Sequence, residues 1–278
     1  MIKIYNCNSK KYLTGLNSIL SKRREVNFNN NKIVAKIIKD IKTNKNKALL
    51  KYEKRFSKNS EILLSKKKIN KTISGLDKKV KKAIDFAYSR IFNFHQKQLK
   101  SFKNIKYIDR FKNRMEYKTV PINSVGIYCP GNLPSTVLMN GIPAKIAKVK
   151  RIVLATPKFN GKLNPAVLYA AKKIGIKEIY CMGGAQAISS LAYIFNVNKI
   201  VGPGNRFVAE AKRQLSGKVV GTESMFAGPS EICVFADKHS NINQIATSLV
   251  SQAEHDKDSQ CILVTKDKSI LKKVSKKI

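Results

Sequence analysis

Acidic side chains are scarce in this sequence of 278 residues: 17 Asp plus Glu face 55 Lys plus Arg, for a net charge of +38. Such a surplus attracts polyanions non-specifically and in a salt-dependent way. A dedicated nucleic-acid binder concentrates its cations and interleaves them with aromatics. Here the lysines are spread along the chain, as at Lys66-Lys67-Lys68, Lys172-Lys173 and Lys276-Lys277, and no nucleic-acid motif accompanies them. A solvated basic surface is therefore favoured, and a non-catalytic basic protein that binds nucleic acid is the alternative. Long apolar runs are also missing: none approaches the roughly 18 residues a membrane span needs. Ile2-Lys3-Ile4-Tyr5-Asn6 behind Met1 carries no apolar stretch or small-residue cleavage site, so no secretory signal and a cytoplasmic location are expected.

Other absences remove whole classes of chemistry. The 5 cysteines (Cys7, Cys129, Cys181, Cys233, Cys261) include no C-x-x-C pair, and their odd count and wide spacing argue for reduced thiols rather than a disulfide framework. The 3 histidines (His95, His239, His255) cannot build a histidine-rich metal cage. No Gly-x-Ser-x-Gly elbow occurs and no cysteine has a neighbouring histidine, so nucleophilic hydrolysis lacks support. The G-x-G-x-x-G fingerprint is absent as well: Gly202-Pro203-Gly204 is nearest, but Phe207 stands where the third glycine would fall. Spacing alone therefore predicts no nicotinamide cofactor.

What is present is a chain with 43% hydrophobic residues, enough for one large domain or two ordinary ones. Residues 1 to about 118 show helical periodicity. Ile33, Ile37, Ile38 and Ile41 share one face, Ala48, Leu49, Leu50 and Tyr52 suggest a second helix, and Val80, Ala83, Ile84, Phe86, Ala87 and Ile91 a third. From Val120 the pattern alternates between β-branched runs and helices. Strands are expected at 124–128, 151–155, 178–182, 199–201, 231–236 and 260–265. Helices are expected at 135–148, after Asn164-Pro165, at 185–194, 206–215 and 242–255, and from 267 onward. Strands joined by helices of this length make a parallel sheet. The fold class expected is α/β with two Rossmann-like parallel-sheet units and a helical N-terminal region. Residues 1–119, largely helical, would belong to the first unit, 120–229 would form the second, and 230–278 would return to the first, whose sheet is incomplete. The covering helix runs to the final residue without a cap, as in an interrupted chain.

Four glycine-bearing turns follow expected strands: Cys129-Pro130-Gly131-Asn132, Met182-Gly183-Gly184-Ala185, Gly202-Pro203-Gly204-Asn205 and Ala227-Gly228-Pro229-Ser230. Each alone is ordinary turn chemistry. Gathered on one edge of a parallel sheet they would form a ligand crevice, because ligands bind outside the carboxyl ends of the strands. The densest polar cluster is Ser251-Gln252-Ala253-Glu254-His255-Asp256. Gln252 and His255, three apart, share a helix face. They could ligate zinc, or His255 could simply complement the helix dipole. The residues alone favour the dipole, since glutamine is a rare ligand.

These motifs in this order resemble the histidinol dehydrogenase family. The runs that carry the resemblance are Val125-Gly126-Ile127-Tyr128-Cys129-Pro130-Gly131, Leu138-Met139-Asn140-Gly141-Ile142-Pro143-Ala144-Lys145, Gly183-Gly184-Ala185-Gln186-Ala187-Ile188, Lys199-Ile200-Val201-Gly202-Pro203-Gly204-Asn205, Ala227-Gly228-Pro229-Ser230-Glu231 and Ser251-Gln252-Ala253-Glu254-His255. The resemblance implies a zinc-dependent homodimer that oxidises L-histidinol to L-histidine with two NAD, through an aldehyde stage. It implies that Tyr128, Gln186 and Asn205 contact NAD, that Ser230 contacts the substrate, and that Gln252 and His255 bind zinc and face the substrate. Two departures stand out: Gly131 leads quickly to Asn132-Leu133-Pro134-Ser135, and Thr222-Glu223-Ser224-Met225 lacks the aspartate many members carry before the methionine. The family's adjacent Glu-His pair, its general base and acid, and its further zinc ligands lie downstream of the segment equivalent to Thr265. No catalytic residue is therefore assigned within this chain, which is expected to be inactive or nearly so on its own.

Overall fold

The computed structural model describes residues 2–7, 12–22, 28–223, 231–254 and 259–278, without the side chains of 19–22 and 28–30. These residues divide into two compact units, Met1–Phe28 with Ala227–Ile278, and Asn29–Phe226. Helix α1 (Tyr12–Lys22) belongs to the first of them.

The larger unit begins with α2 (Phe28–Ser57), which breaks at Lys45, where φ is 45°. The break separates the two apolar clusters that the sequence shows as separate helices. Next come α3 (Lys66–Ser74) and α4 (Lys78–Leu99), whose first turns are capped by Ser65 and Asp77. The stretch with the least regular pattern ends in an antiparallel hairpin of β1 (Ile105–Ile108) and β2 (Arg114–Tyr117), exposed along both strands. An alternation follows: β3 (Ser124–Tyr128), α5 (Pro134–Ile146), β4 (Arg151–Ala155), α6 (Pro165–Ile174), β5 (Glu178–Tyr180), α7 (Gly184–Tyr193), β6 (Lys199–Val201), α8 (Arg206–Leu215) and β7 (Gly221–Thr222). Its boundaries obey local chemistry. In α6 the Asn164 side chain accepts from Ala166 N at 2.9 Å, Pro165 takes the first helical position, and Gly175 closes the helix at a φ of 95°.

All five strands of this sheet are parallel, in the order β5-β4-β3-β6-β7. Successive side chains of a strand face opposite ways, and both faces here are covered. Val153, Ala155 and Ile200 join Ile188, Leu191, Val208 and Leu215 of α7 and α8, and Val34, Ile37, Ile41 and Leu49 of α2. On the other side Ile127, Leu154 and Ile179 meet Val137, Leu138, Val167 and Leu168 of α5 and α6, with Ile69 and Ile84 of α3 and α4. Burial on both faces explains why β3 reads as a continuous buried run rather than an alternating one. The outer edge of β5 is covered by chain between α2 and α3: Leu64 N donates to Ile179 O at 3.0 Å, and Cys181 N to Ile62 O at 2.6 Å.

This packing differs from the expected grouping, in which all of 1–119 joins 230–278. Helices α2, α3 and α4 belong to the unit that holds the five-stranded sheet, and only 1–28 groups with the C-terminal segment. Helical periodicity says that each helix has an apolar face, not which sheet receives it.

The smaller unit has β8 (Glu231–Ala236), α9 (Ile242–Ala253), β9 (Gln260–Thr265) and α10 (Lys268–Lys277). Its strands pair in parallel, and Ile232, Val234 and Leu263 pack with Ile245 and Leu249 of α9 and Ile270 and Val274 of α10. Among the described residues no helix is long and apolar enough to cross a membrane.

Candidate functional site

In the larger sheet β4 and β5 lie on one side of β3, and β6 and β7 on the other. The winding therefore reverses between β3 and β6, and such a reversal opens a crevice at the carboxyl ends of the two strands. Tyr128 ends β3, and the turn Gly202-Pro203-Gly204-Asn205 follows β6. The two strand ends are in close backbone contact there: a Cβ on Gly202, whose φ is 108°, would lie 2.0 Å from the Tyr128 carbonyl oxygen. Gly204 is similarly tight against Val208, whose Cγ1 would be 2.2 Å from an added Cβ.

Asn205 is exposed and caps α8, its Oδ1 accepting from Phe207 N at 3.1 Å and Val208 N at 3.2 Å. Capping uses the oxygen and leaves Nδ2 as the group with which Asn205 can donate. Behind the turn, Lys212 of α8 is buried, and its ammonium donates to the Gly202 carbonyl and the Glu223 carboxylate. Burial pushes the Lys212 pKa below its ordinary value, opposed by Glu223. Removing Glu223 would strand a charge that is only 3% exposed. The expected cost of Glu223→Ala is about 2 kcal/mol at pH 7, below the usual figure for a buried pair because Glu223 is partly solvated. The unfolded lysine holds its proton up to its ordinary pKa and the folded one gives it up earlier, so the variant should regain stability as pH rises through that interval. Urea unfolding at pH 7 and pH 9.5 measures both effects, and a flat pH response would contradict this account.

On the β5 side the turn Gly183-Gly184 opens α7. Gly184 N donates to the Tyr128 hydroxyl at 3.3 Å. Burial pushes the Tyr128 pKa up to about 12, so the phenol keeps its proton at neutral pH. Gly183 N donates at 2.9 Å to Oε1 of Glu53, and Gln186 Nε2 donates to the same oxygen at 2.8 Å. Glu53 is 1% exposed and Gln186 3%. Burial raises the Glu53 pKa, opposed by these two N–H groups. A carboxyl group from α2 thus fills the place at the start of α7 where a helix would otherwise favour a bound anion.

The structure therefore brings Tyr128 and Gln186 to one small cluster through Gly184 and Glu53, and puts Asn205 on the turn after β6, beside the end of β3. Ser230, with the Ala227-Gly228-Pro229 turn, and His255 lie outside the described residues. Gln252 is on α9 of the smaller unit; its Nε2 is buried without a hydrogen-bond partner among the described residues. No three His, Cys, Asp or Glu side chains among the described residues could hold a metal ion, so these residues do not by themselves make a zinc site. Glu53 and Lys212 carry no signal in the sequence, because one acidic residue in a lysine-rich helix, or one lysine among 55 basic residues, looks solvated. The cysteines are free. Burial pushes the pKa of Cys129 up to about 12 and that of Cys181 up to about 11, which leaves both unreactive at neutral pH.

A parallel sheet whose winding reverses between β3 and β6 defines an α/β protein of the doubly wound class, in which ligands bind outside the carboxyl ends of the strands. The family model described as histidinol dehydrogenase matches residues 20–278. The chain belongs to the histidinol dehydrogenase family. It is 55% identical to the histidinol dehydrogenase of Pelagibacter ubique, with all of this chain and 66% of that protein covered. Histidinol dehydrogenase 1 of Trichormus variabilis is 43% identical over 98% of this chain and 64% of its own length. The chain thus spans just under two-thirds of the curated relatives it matches. The crystal structure of histidinol dehydrogenase from Elizabethkingia anophelis superposes with a TM-score of 0.71 at 41% identity, covering 87% of this chain and 58% of that one. A putative aldehyde dehydrogenase from Burkholderia cenocepacia shares the fold at 13% identity, with a TM-score of 0.52 over 89% of this chain and 50% of its own.

Proposed function

We propose that the larger unit is the NAD-binding portion of an enzyme that oxidises L-histidinol to L-histidine in two steps, with Tyr128, Gln186 and Asn205 as NAD contacts. The observation that carries this reading is the reversal of winding between β3 and β6, whose carboxyl ends meet in close backbone contact at Gly202 and Tyr128. Asn205 offers an amide donor at the exposed start of α8, suited to an oxygen of the pyrophosphate. Tyr128 offers a phenol that stays protonated. Bound NAD supplies the hydride acceptor; the residues named here bind and orient it.

The rest of the assignment extends the same reading. Ser230 contacts the substrate, and Gln252 and His255 contribute two zinc ligands in a homodimeric, cytoplasmic enzyme whose remaining zinc ligands and general base lie outside this chain. Isothermal titration calorimetry of NAD into the chain tests the cofactor site. Saturable binding is expected, and Asn205→Ala should weaken it about tenfold, the worth of one hydrogen bond. No heat of binding, or full affinity in the variant, would count against the site.

A further inference from the structure

We infer that Glu53 is a positioning residue: it fixes the direction of the Gln186 amide, so that Gln186 can receive only a hydrogen-bond-donating group of the dinucleotide, a ribose hydroxyl or an amide N–H, and not a phosphate oxygen. This rests on the reading that NAD binds at this rim.

The direction of the amide follows from hydrogen-bond chemistry. Oε1 of Glu53 accepts from Gly183 N at 2.9 Å, so that oxygen is an acceptor and carries no proton in this bond. The Gln186 atom 2.8 Å from the same oxygen must then be the donor Nε2. Reversing the amide would set two acceptor oxygens against each other in a site where both side chains are buried, without water to relieve them. Nε2 is therefore committed to Glu53, and Oε1 of Gln186 faces the Gly183-Gly184 turn. It sits 2.8 Å from where a Cβ on Gly184 would be, so the glycine leaves room for it. A carbonyl oxygen presented this way accepts. It recognises a donor and repels a phosphate oxygen, and Glu53 already occupies the anion-favouring start of α7. Together these divide the rim, with acceptor chemistry at Gln186 and donor chemistry at Asn205.

Three substitutions at one position separate acceptor geometry from charge and from bulk. In Glu53→Gln the new side chain keeps an oxygen that can accept both N–H groups. Glu53→Asp keeps the charge but withdraws the oxygen by one methylene. Glu53→Met keeps the bulk and loses the acceptor. The readouts are NAD affinity by calorimetry on the whole chain, and thermal unfolding without ligand. Glu53→Gln should bind NAD within about threefold of the unaltered protein, and Glu53→Asp and Glu53→Met should each lose about tenfold or more. If the methionine variant does not fold, the contrast between Gln and Asp still decides. A purely structural role would lower the unfolding temperature in Asp and Met while leaving NAD affinity, measured well below that temperature, unchanged; that result overturns the inference alone. A tenfold loss in Glu53→Gln overturns it too, since charge would then be what matters. If the unaltered chain gives no heat with NAD, the proposed function fails and the inference fails with it.

Discussion

Given L-histidinol, NAD and zinc, this chain alone is expected to form NADH at least about a hundredfold more slowly than the Pelagibacter ubique relative, the usual contribution of a positioned acid or base. Removing the alcohol proton near neutral pH needs a group whose pKa lies close to 7 and which can reach the substrate. Among the described residues the rim of the larger unit offers no free group of this kind: Lys212 is pushed down by burial, but its ammonium is held by the Gly202 carbonyl and the Glu223 carboxylate. The Tyr128 phenol is pushed up to about 12, and the thiols of Cys129 and Cys181 to about 12 and 11. Glu53 is raised by burial, but its carboxyl is committed to Gly183 and Gln186. Elsewhere, His95 Nδ1 pairs with Gln98 Oε1 at 2.6 Å on the exposed surface of α4, far in sequence from every rim motif. The resemblance puts the family's Glu-His pair downstream of Thr265, where this chain has no histidine. Steady-state NADH formation, followed for both proteins under the same conditions, measures the ratio. Comparable rates would mean that a residue of this chain serves as the base, and the division of labour proposed here would be wrong.

The layout of the larger sheet is legible in the sequence because most of its strands are apolar runs with a turn behind them. Ser124–Tyr128, Arg151–Ala155 and Lys199–Val201 coincide with the expected spans. The Lys45 break is legible as two separate apolar clusters. Helix α3 is not, because Lys66–Ser74 carries only Ile69 and Ile73 among polar residues, too few for a periodic signal, and its burial of Ile69 comes from tertiary packing. The two-residue β7 is hidden for a similar reason: Gly221 and Thr222 have neither length nor apolar content, and become a strand only because β6 pairs with them. For the site, the glycine turns mark the carboxyl ends of strands, and at Gly202 the backbones of β3 and β6 come into close contact. The groups that hold those turns do not announce themselves, since Glu53 comes from more than 100 residues away in the chain and owes its role to burial.

The glycine with the largest structural consequence is Gly202, and Gly202→Ala is expected to destabilise the protein by about 3 kcal/mol or more. Two effects add. The φ of 108° lies where a side chain is strained, a penalty of about 1–2 kcal/mol by itself. The added Cβ would also sit 2.0 Å from the Tyr128 carbonyl oxygen, a backbone atom at the end of the fully buried central strand. A flexible side chain could rotate away from such an overlap, but β3 is hydrogen-bonded on both sides, to β4 and β6, and must move as a piece. Gly217→Ala is the matched control. Its φ is 70° and nothing lies within 4 Å of its Cβ position, so only the conformational penalty applies there. Urea unfolding of the two variants beside the unaltered chain isolates the overlap as the difference between them. A Gly202→Ala cost within about 1 kcal/mol of the Gly217→Ala cost would show that β3 and β6 can part easily. The same separation should abolish NAD binding at the crevice, because the strand ends that frame it would no longer meet.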